Sequence, residues 1–520
     1  MQELNGAMLI LVADLVATCH ALAPSWSDLR SRVVATPTGR NLDGDILART
    51  SGGGSPNTNA LLRLFDAKDE SDVRVTFYRD KAAWCPYCQK VWLLLEEKEI
   101  PYRVSKMPLN AYGDKPDWYT RKVDGGKLPA IELDGTMHTE SVRIMEMLDA
   151  TFAHHGPRMV PEQGSADAAR TAECLELEKE LMRDWFSLVF YPVDDDGGGL
   201  EAAREKLLGT LVRVDAALGA TPGPWFLGGD QPSFIDLQCI PSVERMVASC
   251  LYWKDLRLRD NPRLPKLRQW LEAFETRASY IASKSDIYTH AMALPSQNGP
   301  GYFSDAALEM SSRLCGVGGG WDWPLDLNRH SSMVEPLPAE QLADGGAPAR
   351  HEAAFAVITN HASVVRFACR AAGEPGRPAY HAELADPNAE PNESFSAQVD
   401  NALRHVVTAL LDGTDMAFEA ARADLRGLVE CGPDGGPILA DGWEEHVDLR
   451  GQAYFWNDET GETTYAAPTR QLDACLAYLR DRIGVPRDMS AAAALMLRAH
   501  LNWAIDITRE HLGERVSKVE

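Results

Sequence analysis

Positive charge is scarce in this 520-residue chain: 52 Lys and Arg stand against 76 Asp and Glu, a formal net charge of −24. That balance argues against nucleic acid or an anionic membrane as the main partner. No apolar run is long enough to span a bilayer, since the stretch from Ala7 to Ala23 is interrupted by Asp14 and His20. The ten cysteines lack the dense spacing of a secreted disulfide scaffold. A reducing compartment and mostly buried thiols, such as Cys174, Cys239 and Cys369, are therefore expected. Only one C-x-x-C occurs, so no four-cysteine zinc site can be completed. His351, His361 and His405 lie on helix-like stretches without H-x-x-x-H spacing and read as core or surface residues. No metal is expected. What remains is globular composition, 45% hydrophobic and 25% charged, at a length that suits two to four domains.

The stretch that carries chemistry is Ala83-Trp84-Cys85-Pro86-Tyr87-Cys88. Before it, Val73 to Tyr78 alternates like a half-buried strand; after it, Val91, Leu94, Leu95 and Lys98 recur at helical spacing. Cys85 thus falls at a helix N-terminus, where unpaired N–H groups and the helix dipole favour thiolate over thiol. Pro86 suits the first turn, because its missing N–H would have had no partner there. Cys88, one turn on, is placed to resolve a mixed disulfide. A structural disulfide or half of a zinc site are the other readings of the pair, and the missing second C-x-x-C favours redox chemistry.

Downstream, Tyr102 to Ser105 is extended, and Lys127 to Gly135 reads as a strand entered through Pro129 and closed by an Asp134-Gly135 turn. Met137 to Thr139 returns, and Glu140-Ser141 opens a periodic helix through Ile144, Met147 and Leu148. In this order around Cys-Pro-Tyr-Cys, residues 73–152 resemble the thioredoxin-like domain of glutathione S-transferases and glutaredoxins. The resemblance implies a cis bond before Pro129 and a Leu128 backbone that pairs with glutathione like an added strand. It also implies that Glu140 and Ser141 hold the γ-glutamyl end, with Pro86, Tyr87 and Lys127 completing the glutathione site. Glutaredoxins carry a lysine three residues before the first cysteine. Lys81 stands four before, which makes Lys127 an equal candidate for the glutathione carboxylate.

Residues 164–290 read as helical, with Leu175, Leu177, Leu181 and Trp185 on one period. Ser233 with Asp236 forms a capping box. The run Phe226-Leu-Gly-Gly-Asp230 followed by Ser233-x-x-Asp236 resembles the folding motif of the helical domain of glutathione transferases. Trp185, Tyr191, Tyr252 and Trp253 are candidates either for core or for an acceptor pocket. Residues 300–440 read as further helices of no assigned role, between loops at 316–323 and 373–394. Three short strands at 441–468 resemble a WW domain, with Trp443 packing on Pro468. Tyr454, Trp456, Thr463 and Tyr465 then form the groove for a proline-rich peptide. Tyr465 replaces the usual second tryptophan and Asp458 a common histidine. Helices return over 470–520, so the WW module is inserted in a helical region.

Residues 1–70 are expected to be a targeting or disordered segment, with linker composition culminating in Ser51-Gly-Gly-Gly-Ser-Pro56. A plastid or cytoplasmic location follows. The fold class expected is an α/β thioredoxin-like domain at 73–155, then an all-α glutathione-transferase C-terminal domain at 164–290, then helices with the inserted WW domain. The function implied is a glutathione-dependent thioltransferase or reductase in which Cys85 attacks and glutathione or Cys88 resolves. Conjugation of glutathione to electrophiles and a non-catalytic scaffold are the alternatives. Glutathione is the expected co-substrate, acting on an oxidised or electrophilic small molecule or a protein disulfide; a homodimer is the assembly considered.

Overall fold

The computed structural model describes residues 23–193, 198–327, 335–380, 382, 384–428, 443–447, 453–458, 461, 463–464 and 472–516. Helices α1 (Trp26–Ala35) and α2 (Pro37–Ser51) come first, followed by the short strand β1 (Leu62–Arg63). An α/β layer follows: β2 (Val75–Asp80), α3 (Pro86–Glu97), β3 (Tyr102–Met107), α4 (Asp117–Lys122), β4 (Ala130–Leu133), β5 (Thr136–Thr139) and α5 (Ser141–Thr151). The sheet order is β1-β3-β2-β4-β5, with β2 and β3 parallel and the other pairs antiparallel. The parallel pair requires a crossover, and α3 supplies it. Nine of its twelve residues are buried, against the sheet on one side and the next helical layer on the other.

That helical layer comprises α6 (Ala166–Val189), α7 (Gly199–Gly219), α8 (Phe234–Lys254), α9 (Pro265–Phe274), α10 (Ala278–Ser283), α11 (Ile287–Asn298) and α12 (Leu308–Leu314). α8 is its axis, buried along nearly its whole length and packed on α3, α6 and α11. The capping box at Ser233 starts it. Buried Asp236 accepts from Ser233 N–H (2.8 Å), Ser233 Oγ (2.6 Å), Phe226 N–H (3.1 Å) and Trp270 Nε1 (2.8 Å), tying the helix start to the preceding loop and to α9. Trp185 and Trp253 are core residues of this layer, whereas Tyr191 is exposed.

A second core lies in a further bundle. It is built from α13 (Ala339–Thr359), α14 (His361–Ala368), α15 (Ser396–Asp412), α16 (Thr414–Leu428), α17 (Leu472–Asp481) and α18 (Ala491–Val516). Between α16 and α17 the chain forms a three-stranded sheet of β6 (Trp443–Val447), β7 (Ala453–Asn457) and β8 (Thr463–Thr464). His405 is buried and bonded to Asp424 (2.8 Å), and His361 stacks on Trp26, so both are structural.

The expectation for residues 1–70 is corrected where the structure describes them. Residues 23–63 are part of the fold. Leu29 and Val33, four apart on α1, are fully buried among α13 and α15. Trp26 Nε1 donates to Asp400 (2.7 Å), and β1 extends the sheet beside β3. The Ser, Thr and Arg content that resembles a linker includes helix caps: Ser25 Oγ accepts from Asp28 N–H and Thr36 Oγ1 from Gly39 N–H. Residues 1–22 lie outside the described residues.

Acid stability should depend on His500 of α18, which is fully buried, donates through Nδ1 to Met496 O (2.8 Å) and packs against Trp323. Burial lowers its pKa from 6.5 to about 4, against the upward pull of the Met496 bond. Below pH 6.5 the unfolded chain binds a proton that the folded one refuses, so stability falls as pH drops from 6.5 towards 4. Between pH 7 and 5, His500→Gln should lose about 2 kcal/mol less than the wild type, read by urea denaturation at both values.

Candidate active site

β2 ends at Asp80, and the chain turns at once. Ala83 N–H bonds Asp80 O (3.3 Å), Ala83 takes a positive φ of 54°, and Trp84 N–H donates to Asp80 Oδ2 (2.7 Å). This turn presents Cys85 as the N-cap of α3, with Pro86 in its first turn. Cys85 and Cys88 are buried free thiols, and their sulfurs and an Asp80 oxygen all lie within 4.8 Å of one another. Among the described residues, this is the thiol–carboxylate cluster compact enough to hold a metal ion. Burial pushes the Cys88 thiol well above its ordinary range, and so do its hydrogen bond to Cys85 and the charges of Cys85 and Asp80. Cys88 therefore keeps its proton. The other carboxylate oxygen of the turn, Asp80 Oδ1, is buried and has no hydrogen-bond partner among the described residues.

Sheet register brings the remaining elements to the same end. Tyr78 pairs with Ala130, and Ala130 with Thr139. The residues just beyond this row are Arg79 and Asp80 on β2, Pro129 before β4, and Glu140 after β5. The Leu128–Pro129 bond is cis. Glu140 caps α5 at φ 69°, ψ 105°, a conformation that costs a non-glycine residue about 1–3 kcal/mol, and Ser141 beside it is buried. Such strain persists only where the surroundings impose it. Lys127 Nζ lies 3.2 Å from Glu140 Oε1, both exposed. Tyr87 is 54% exposed, beside Lys90.

Several residues at this site carry no motif. Lys115, in the loop after β3, sits in the field of the two cysteines: burial lowers its pKa, and the charges of Cys85 and Cys88 oppose that shift. Beneath the cysteines, Arg245 of α8 donates to the Trp84 carbonyl, to Gln89 Oε1 (3.1 Å) and to Pro241 O (2.6 Å), and its guanidinium lies 4.7 Å from the Trp84 ring centre. Trp84 Nε1 donates to His290 Nδ1 (3.0 Å), which leaves His290 Nε2–H to donate to Glu244 Oε1 (2.9 Å). Burial keeps His290 below its usual pKa. Burial also opposes the Glu244 charge, but His290, Arg245 and the Ser285 N–H outweigh it and hold Glu244 at about 2. The only hint of this network in the sequence is an adjacent Glu-Arg pair in the middle of a mostly apolar helix.

Two stretches of the chain match families of known proteins. Residues 84–151 match the family "Glutathione S-transferase, N-terminal domain" and residues 198–273 its "C-terminal domain". Glutathione S-transferase L3 of Arabidopsis thaliana is 31% identical over 209 residues, covering 39% of this chain and 79% of that protein. The chain belongs to the glutathione S-transferase family. The probable glutathione transferase omega-2 of Caenorhabditis elegans is 26% identical to this transferase over 216 residues, covering 40% and 80%. The crystal structure of glutathione transferase Omega 3C from Trametes versicolor aligns at 25% identity and a TM-score of 0.35, over 41% of this chain and 90% of that one. The enzyme also carries a WW domain, matched at residues 439–468. In its sheet, Trp456 is paired directly with Thr463 and both are exposed, with His446 against the Trp456 ring. Tyr454 stands on β7 with its side chain outside the described residues, as are Tyr465 and Pro468 altogether.

Proposed function

We propose that this transferase is a glutathione-dependent thioltransferase whose nucleophile is Cys85. The observation that carries the proposal is Cys85 as the N-cap of α3, its sulfur within 4.8 Å of the Cys88 sulfur. A sulfur at a helix start faces unpaired N–H groups, whereas burial and the nearby Asp80 charge keep the proton on Cys88, so Cys85 is the sulfur of the pair placed to attack.

In the first step the Cys85 thiolate attacks the glutathione sulfur of a mixed disulfide. The old S–S bond breaks, a Cys85–glutathione disulfide forms, and the substrate leaves as a thiolate that takes up a proton. A second glutathione thiolate then attacks this disulfide, releasing oxidised glutathione and restoring the Cys85 thiolate. Each turnover thus converts one mixed disulfide and one free glutathione into the substrate thiol and oxidised glutathione, one disulfide being exchanged for another. Burial and the Asp80 charge still hold the proton on Cys88 when Cys85 is in a disulfide, so resolution from solution is favoured over closure of a Cys85–Cys88 disulfide. Pro86, Tyr87, Lys127, Leu128, Pro129, Glu140 and Ser141 form the glutathione site, and Lys115 adds a cation beside the reacting sulfurs. For the WW domain, Trp456 and Thr463 support a proline-rich protein partner.

The test is to treat the reduced Cys88→Ser protein with a glutathione mixed disulfide and map the adduct by peptide mass spectrometry. Glutathione should be found on Cys85. An unmodified Cys85, together with enzymatic transfer of glutathione onto an electrophile such as chlorodinitrobenzene, would overturn the proposal in favour of conjugation.

A further inference from the structure

The bundle of α13–α18 has no part in the chemistry above, yet it reaches the active-site end of the sheet. Its 373–392 loop lies on the loop that carries Lys115, where Ala382 N–H bonds Ala111 O (3.4 Å). Its 481–487 turn docks on α11, where Tyr288 donates to Asp481 O (3.1 Å) and Val485 N–H to Thr289 Oγ1 (3.2 Å).

Between these contacts lies a cavity of about 280 Å³. One wall is Lys81, Ala82 and Trp84, the residues leading directly to Cys85, and α11 contributes Tyr288 and Met292. The bundle closes it with Phe367, Arg370, Ile483 and neighbours. The volume approaches the roughly 300–1,000 Å³ of small-molecule sites, and apolar side chains dominate the lining.

The charges around it run against the rest of the molecule. In a chain of net charge −24, this cavity is lined by Lys81, Arg370, Arg482 and Arg487 against two carboxylates, Asp386 and Asp481. Both carboxylates are engaged elsewhere, Asp481 with Arg480 (2.8 Å) and Asp386 with Gly376 N–H (3.1 Å). Two of the arginines are held in place: Arg482 by Leu384 O and the face of Tyr478, and Arg487 by Arg482 O and by Asp488, which accepts from its Nε and Nη2 and so leaves Arg482 as the guanidinium with an open fork. A fixed guanidinium is the group that takes a carboxylate or sulfonate in two parallel hydrogen bonds.

We propose that this cavity binds an organic anion with an aromatic or alicyclic body, and that the bundle thereby selects the acceptor delivered to Cys85. The anion site stands by itself; its role as acceptor site rests on the thioltransferase reading.

The test uses full-length protein and two fluorescent probes of similar shape, anilinonaphthalene sulfonate and the uncharged N-phenylnaphthylamine. Wild type should bind the sulfonate at least about tenfold more tightly. Arg482→Gln with Arg487→Gln should remove that preference, and so in part should Lys81→Gln, which leaves the bundle untouched. Met292→Trp, which fills the cavity, should weaken both probes. Equal affinity for the two probes, or a preference that survives the lysine and arginine changes, overturns the anion site. Turnover of the glutathione mixed disulfides of 2-mercaptobenzoate and of benzenethiol then tests the acceptor role. The arginine variant should raise KM for the carboxylate substrate alone, and an equal KM for both overturns that role. An enzyme that turns over neither disulfide refutes the thioltransferase assignment, while the probe titrations still decide the site.

Discussion

Cys85→Ser should lower glutathione-dependent reduction of a mixed disulfide by roughly 10³-fold or more, because a hydroxyl cannot replace the thiolate that carries the covalent intermediate. Cys88 behaves differently. Its proton is kept by burial, by its bond to Cys85 and by the nearby charges of Cys85 and Asp80. Serine at 88 retains a donor of similar size, so Cys88→Ser should stay within about tenfold of wild type. Cys88→Ala removes the S–H group beside the Cys85 sulfur, and a hydrogen bond to a charged group is worth about 1.5–3 kcal/mol. The smaller thiolate fraction at Cys85 would be offset in part by greater intrinsic nucleophilicity, leaving a loss of about three- to tenfold. Steady-state rates of the three variants with one disulfide check this. Equal, large losses in both single serine variants would mean that Cys88 resolves the intermediate after all.

What was legible in the sequence was whatever lies within one or two elements of the cysteines. Cys85, Pro86 and Cys88 occupy a single strand–helix junction, and Pro129 and Glu140-Ser141 flank a hairpin whose turn is spelled out by Asp134-Gly135. Local chemistry determines such places. The residues that went unread are joined across long stretches of chain: Trp84 meets Arg245 and His290, 161 and 206 residues away. No spacing in the sequence marks those pairings, because they exist only once α8 and α11 pack under α3. Asp80 escaped notice for a different reason. A strand-end aspartate ordinarily marks a turn, and only the tight bend at Ala83 brings its carboxylate back against the sulfurs. Composition misled at residues 23–63, where small polar residues that suggest a linker cap two helices, and two apolar side chains, Leu29 and Val33, are enough to anchor them.

Arg245→Met should destabilise the transferase body by about 3–5 kcal/mol, the cost of leaving a buried partner charge uncompensated. Arg245 is buried and donates to Trp84 O, Gln89 and Pro241 O, so methionine of similar length fills the space but satisfies none of these acceptors. The charge left behind is Glu244. In the wild type Glu244 is held at about 2 against an ordinary 4.5, so it contributes stability above pH 4.5 that is lost as pH falls from 4.5 towards 2. Removing Arg245 withdraws one of the groups that keep that pKa low. The gap between variant and wild type should therefore be widest at neutral pH and narrow below pH 4.5, read from the first urea transition at each pH. Adding Glu244→Gln to Arg245→Met should recover part of the loss, since it also removes the buried carboxylate most strongly coupled to Arg245. The double variant separates stability from catalysis as well. Arg245 holds the carbonyl of the residue before Cys85, so a protein with restored stability should still reduce disulfides more slowly than wild type, through kcat rather than KM for glutathione. Full recovery of both would reduce Arg245 to a structural charge with no hold on the nucleophile.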